Sequence, residues 1–312
     1  MLTATPTIPH RPLTATPLIL LLIVGCLLAI SVLLSKVAAG LQAPMLTYLA
    51  LAMGGSGLIL TLMTRGIRVG QSGFIHLLFY SLGAGALMAL GSALGYLTVH
   101  KVGAAFIALA LAFPPMLTWL LSLVLRIERF DLLRVSGLLI GLGGGVLLAV
   151  NKGIGAPSDT GAILVASAMP VVLAAGNVFR TRFWPKGASP RELAGAMLIC
   201  GGVLTLPFGL YLEGSAGLAT VLHAPMLLIL IIAITTFVAQ YAAMFRLQQI
   251  AGPVYLSQIG SVAAIVGSPI AVIALGEKLP DGFVLTALLI GLGLAMFQYR
   301  AAKPRSDIGN ST

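Results

Sequence analysis

The side chains in this chain of 312 residues that could do chemistry are hydroxyls, amides and one amine, spaced within long apolar stretches. Ser31, Ser35 and Lys36 close the first stretch, Ser92 and Tyr96 lie in the third, and Thr118 and Trp119 in the fourth. Asn177 belongs to the sixth, Thr236, Gln240 and Tyr241 to the eighth, and Gln258 and Ser261 to the ninth. Such groups donate and accept hydrogen bonds, and inside an apolar medium each needs a partner. None stands as a nucleophile beside a base. All eight acidic residues (Glu128, Asp131, Asp159, Glu192, Glu213, Glu277, Asp281 and Asp307) fall at turns or tails. The chemistry open to this set is reversible binding, and the chain does not read as an enzyme.

Metal and cofactor motifs are equally scarce. His10 sits in the N-terminal tail, His100 and His223 are expected at outer loops, and no HExxH or paired spacing occurs. Cys26 and Cys200 are isolated within apolar runs and read as buried free thiols. Gly141-Leu142-Gly143 is not a phosphate loop, because no strand precedes it. No metal and no cofactor is expected.

The elements that must position these residues follow from composition. Hydrophobic residues make up 59% of the chain and charged ones 8%, with a mean hydropathy of +1.07. Soluble domains carry about 25% charge, so this chain cannot cover a water-facing surface. Ten apolar runs (17–35, 43–64, 73–99, 102–125, 135–151, 160–179, 193–212, 224–245, 247–276 and 282–299) approach the length that crosses a bilayer. They are continuous, whereas barrel strands alternate. The expected fold is an all-α integral membrane protein of ten transmembrane helices.

The net charge of +10 reports orientation. With the N-terminus inside, all the arginines, together with Lys186 and Lys303, fall on inner segments; only Lys36, Lys101, Lys152 and Lys278 lie outside. That asymmetry predicts a multi-pass inner-membrane protein with both termini cytoplasmic, its basic side against anionic lipid and with no nucleic-acid partner. Val37-Ala38-Ala39 could pass for a signal cleavage site, but the apolar stretch before it is too long and Lys36 interrupts it, so no cleavage is expected.

The hexapeptide LLIGLG occurs at 138–143 and again at 288–293. Nearly the same offset aligns YLTVHKVGAA (96–105) with FRLQQIAGPV (245–254), pairing Gly103 with Gly252, and SVLLSK (31–36) with NVFRTR (177–182). A repeat of this length holds five helices. Five is odd, so the second unit enters the membrane from the opposite face. The expected organisation is a cytoplasmic tail at 1–16, a five-helix unit at 17–151, an outer linker at 152–159, an inverted second unit at 160–299 and a tail at 300–312. Inverted repeats are a common plan of secondary transporters, whose solute site lies between the halves near mid-membrane. Gly137, Gly141 and Gly145 recur every four residues, with Ala287, Gly291 and Ala295 at the offset positions; both read as small-residue ridges for helix packing.

These features resemble the drug/metabolite transporter superfamily, in particular its ten-helix EamA-type members. The resemblance spans about residues 17–300 and rests on the two halves, the charged turns with Glu128 and Gly276-Glu277-Lys278, the Gly-rich helices that follow, and Lys36 late in the first helix. Two departures stand out: Leu28-Ala29 replaces the usual Trp-Gly pair, and Arg126-Ile127-Glu128 stands where Leu-Gly-Glu is expected. The resemblance implies a carrier of a small polar metabolite, an amino acid or similar, working by alternating access and in the export direction. A lipid-intermediate flippase of the same fold, or a drug or nucleotide-sugar carrier, stays as the alternative. The implied partners are a small-molecule solute and membrane lipid, with a homodimer left open.

Within that frame the polar residues above are cavity candidates. Ser31, Ser35 and Lys36 suit a neutral, zwitterionic or anionic solute. Lys36 has two readings, snorkelling to outer headgroups or lining the cavity. Arg180 and Arg182 read as cytoplasmic topology determinants. Gln240 reads as a solute contact or an interhelical hydrogen bond, and Trp119 and Tyr241 as cavity or interfacial aromatics. Pro114, Pro115, Pro170 and Pro269 are the expected hinges, since each removes a backbone donor and kinks its helix.

Overall fold

An apolar run in lipid has no water to satisfy its amides, so it must coil until its backbone satisfies itself. The computed structural model describes residues 15–64, 73–125, 130–155, 160–276 and 282–301; these are helical almost throughout, with no strand among them. The charged turns carrying Glu128, Glu277 and Lys278 lie outside the described residues. In chain order the helices are α1 (Ala15–Gly40), α2 (Met45–Met63), α3 (Phe74–Val102), α4 (Ala104–Ala110), α5 (Pro114–Val124) and α6 (Leu132–Gly155). They continue as α7 (Thr160–Arg182), α8 (Pro190–Glu213), α9 (Ala216–Leu222), α10 (Met226–Ser257), α11 (Ile259–Leu275) and α12 (Phe283–Ala301).

Eight stretches are long and apolar enough to cross a membrane. α1, α2, α3, α7 and α8 each supply one, α4 and α5 together another, α10 as far as Pro253 a seventh, and Tyr255 through α11 the eighth. α6 and α12 hold the shorter apolar segments Leu132–Leu147 and Phe283–Met296. The perimeter turns large apolar side chains outward: Ile75, Leu164, Val203, Ile265 and Ile273 are 65–84% exposed. In water that belt would drive aggregation. It fits a protein embedded in a membrane.

Two glycines set where helices hand over. Gly103 (φ 91°, ψ 156°) separates α3 from α4, and Gly252 (φ 77°, ψ 179°) interrupts α10. Both conformations lie at positive φ, which favours glycine, and they occupy the paired positions of the 149-residue offset. Each allows the chain to leave one span and begin the next without a loop. The break expected at Pro114-Pro115 is present: α4 stops at Ala110, and the prolines open α5 at its first two positions, where no N–H is needed. Pro170 and Pro269 lie inside α7 and α11.

Elsewhere polar side chains mark the helix ends. Ser189 and Glu192 form a reciprocal capping box at the start of α8, with Pro190 in the first turn. Asp131 Oδ1 accepts from the Leu133 and Arg134 amides ahead of α6.

Packing brings together helices far apart in sequence. α1 lies on α10 and α11, α3 on α7 and α8, α2 on α8 and α10, α4 on α11, α5 on α7, and α6 on α12. α2 and α8 touch backbone to backbone. A Cβ on Gly202 would meet Gly54 N at 2.7 Å, and one on Gly57 would meet Ile199 N at 2.7 Å. Small residues permit that approach in lipid, yet neither glycine belongs to the ridges expected from the hexapeptide.

The ridge expectation itself is corrected on α12. Gly291 and Ala295 are exposed, with open space where a Gly291 Cβ would go, and Ala287 is only half-buried. The close approach is made by Gly293, whose Cβ would lie 2.5 Å from both Gly137 O and Gly141 N. Gly145 faces the Phe113 ring on the other side of α6. The reason is geometric. A 3.6-residue turn carries a four-residue ridge around the helix, so α12 presents Thr286, Ile290 and Gly293 as its buried edge.

Candidate functional site

Near the junction of α1, α3, α7 and α10 the bundle holds a cavity of about 60 Å³. Its polar lining is Ser31, Ser35, Ser92, Tyr96, Gln240 and Tyr241; Leu28, Met88, Ile107, Leu111, Met169 and Phe237 supply much of the apolar wall. Each water needs about 10–15 Å³ of such space, so the cavity has room for a few waters and for nothing much larger. Sequence spacing explains why the residues converge. Ser31 and Ser35 are one turn apart on α1, as are Ser92 and Tyr96 on α3, and Gln240 and Tyr241 sit on the α10 face that meets α1.

Ser31 Oγ lies 2.8 Å from Gln240 Oε1 and 2.9 Å from Leu27 O. A hydroxyl has one proton, so it serves one acceptor and leaves the other an option. Gln240 is 2% exposed, and among the described residues its hydrogen bond is this one with Ser31. The amide nitrogen therefore remains to donate into the cavity. Ser35 Oγ is turned back to Val32 O at 2.7 Å.

The other expected residues do not line this space. Lys36 is half-buried, and its ammonium donates to Val99 O and His100 O, both at 3.2 Å, at the carbonyl end of α3. A cation there also meets the negative end of the helix dipole. Trp119 is fully buried, which removes it from any interfacial belt, and the Arg134 guanidinium stands 5.9 Å from its ring centre. Thr236 Oγ1 bonds within its own helix to Ile232 O. Gln258 marks the junction of α10 and α11, and the buried Ser261 hydroxyl has no hydrogen-bond partner.

Thr118 and Asn177 belong to a second polar cluster, built around a residue that the sequence had placed at the surface. Arg182 is exposed, as expected, but Arg180 is 3% exposed. Its Nη2 donates to Asn177 Oδ1 at 2.6 Å and its Nε to Gln248 Oε1 at 3.4 Å. Asn177 Nδ2 donates to Thr118 Oγ1 at 3.4 Å, and Gln248 Nε2 to Thr181 Oγ1 at 3.0 Å. Beside this cluster Tyr80, Phe179, Trp184 and Phe245 pack ring to ring, with neighbouring centroids 5.8–6.4 Å apart. The signal for Arg180 was available: Met169, Leu173, Asn177 and Arg180 fall on one face of α7.

At the end of α1 a recess of about 430 Å³ opens between Gln42, Pro44, Leu97, His100, Glu213 and Thr220. Glu213 holds the start of α2 across it. Its carboxylate accepts from Leu46 N (2.7 Å), Thr47 N (2.9 Å) and Thr47 Oγ1 (2.8 Å).

Fold and site together describe a membrane-embedded helical bundle with a small polar-sided cavity between helices from both parts of the chain. No family model and no curated protein matches the chain. A solved crystal structure, 22% identical over 94% of this chain and 99% of its own, superposes with a TM-score of 0.63. At that identity the likeness is one of fold alone.

Proposed function

We propose that this protein is a secondary transporter of the drug/metabolite transporter superfamily, EamA type, moving a small polar metabolite across the inner membrane. In this reading α6 and α12 complete ten spans, arranged as two inverted five-helix units with both termini cytoplasmic. The packing pairs support it, because shifting every span by five maps them onto one another. α1 on α10 becomes α7 on α3, α1 on α11 becomes α7 on α5, and α3 on α8 becomes α10 on α2. α2 on α8, α4 on α11, and α6 on α12 map onto themselves. The matched breaks at Gly103 and Gly252 follow the same exchange.

The observation that carries the function is the cavity, where Ser31 and Ser92 of one unit face Gln240 and Tyr241 of the other within a mostly apolar wall. A solute held there touches both units. Rocking one against the other opens the cavity to each side in turn, and the solute biases the cycle only by binding one state better. In this reading the cavity widens as the units rock apart, and export is the proposed direction.

Metabolite comparison of overexpressing and deletion cells, followed by uptake into proteoliposomes, tests the reading. A compound retained by deletion cells and moved by the purified protein is expected. Reporters that place residues 128 and 277 on the same side of the membrane would remove the inverted arrangement.

A further inference from the structure

Arg180 is a buried cation whose described partners are all neutral. Two of the five N–H groups on its planar guanidinium are engaged, by Asn177 and Gln248. No carboxylate pairs with it among the described residues, and no Asp or Glu occupies the span interiors from 17 to 125 or 224 to 276. Arginine does not deprotonate in proteins, so the charge persists. Burying an ion without a counter-ion is costly, and this one is embedded between α7 and α10. In the ring cluster beside it, Tyr80 has a buried hydroxyl with no hydrogen-bond partner. Met169 and Leu173 carry the same α7 face from the cavity down to Asn177 and Arg180.

We infer that Arg180 is the anion-recognising residue of the transport pathway, and that the transported solute carries a carboxylate. A guanidinium fork matches a carboxylate in two parallel hydrogen bonds, and the unengaged N–H groups are the ones such a pair requires. Asn177 and Gln248 orient the fork from the two helices. Lys36 bonds the carbonyl of Val99, the position that precedes Gln248 by the repeat offset of 149. Among the described residues no carboxylate pairs with Arg180, and the solute supplies the missing charge. This inference rests on the transport reading.

The test uses the full-length protein in lipid nanodiscs as wild type, Arg180→Gln, Arg180→Met and Arg180→Lys. Melting temperatures are measured alone and with matched pairs: alanine, leucine, threonine and phenylalanine, each as the free acid and as its amide, together with lactate and succinate. At least one acid is expected to raise the wild-type melting temperature while the corresponding amide does not. Arg180→Gln and Arg180→Met lose that shift and, without ligand, melt no lower than wild type, because each removes a buried charge that lacks a counter-ion. Arg180→Lys keeps part of the shift.

Equal shifts by acid and amide overturn the inference, as does acid binding that survives Arg180→Gln. Lower ligand-free melting of both neutral variants with acid binding unchanged would make Arg180 a structural tie. Proteoliposomes that move only uncharged or cationic compounds reject the carboxylate and keep the transporter. Proteoliposomes that move no compound reject both.

Discussion

The carbonyl oxygen of Leu111 faces the α-carbon of Gly260, so close that a methyl group on that carbon would overlap it. Pro115 explains why this carbonyl is free. In a continuous helix Leu111 O would accept from the amide four residues on, and proline has none. The freed oxygen turns toward α11 at the one residue type without a side chain, and Leu111 itself lines the cavity. The helix break, the interhelical contact and the cavity wall are one piece of structure.

Gly260→Ala therefore has no compliant neighbour to push aside. We expect it to lower stability by at least the roughly 1–3 kcal/mol typical of overpacked cores. Fluorescence-detected size-exclusion and melting in detergent read this out, with Gly291→Ala as the control. Gly291 faces open space, so a comparable loss in the control would break the argument.

Gln240→Leu separates binding from folding. Ser31 keeps Leu27 O as an acceptor at 2.9 Å, so no hydroxyl is stranded and the melting temperature should stay near wild type. Transport should fall about tenfold or more, since a lost polar contact is worth roughly 1–3 kcal/mol. Uptake at the wild-type rate by this variant would remove Gln240 from the site.

Glu213→Ala removes three acceptor contacts at the start of α2. Hydrogen bonds to a charged group and its favourable placement at a helix N-terminus predict a loss of about 1–3 kcal/mol. Thermal melting measures it. The local effect should also appear as faster amide exchange at Leu46 and Thr47, whereas a melting curve that does not move would show that the clamp contributes nothing.

The α2–α8 contact gives a further contrast. Gly202→Ala places a methyl 2.7 Å from Gly54 N and 2.8 Å from Ala50 O, both backbone atoms. It should destabilise the bundle strongly. Gly143→Ala meets nothing within 4 Å and should be silent in the same melt. If the two substitutions behave alike, backbone proximity is not what holds this helix pair.

Much was legible in the chain itself, because the signals are one-dimensional. Continuous apolar runs with no charges dictate helices wherever water is excluded, and α1 to α3, α7 and α8 follow their runs to within a few residues. The offset pairing of Gly103 with Gly252 picked out the two residues that interrupt helix at positive φ. Ser31, Ser35, Ser92, Tyr96, Gln240 and Tyr241 were identifiable as polar groups inside apolar runs and do line one cavity. Lys36, Trp119, Thr118 and Asn177 carried the same signal and lie elsewhere. Polarity marks a residue that needs a partner without saying which partner it finds.

Only the tertiary structure decided those partners. It turned Gly293 rather than Gly291 toward α6, because helix phase is set by how two cylinders cross. It gave Lys36 to the carbonyl end of α3 and Glu213 to the amide end of α2, pairings between residues tens to hundreds of positions apart. Above all it buried Arg180 and left Arg182 exposed, two residues on. In the sequence both are arginines at the end of an apolar run. A 3.6-residue turn puts Arg180 on the α7 face of Met169, Leu173 and Asn177 and Arg182 off it, but only the position of α10 decides that this face is the buried one.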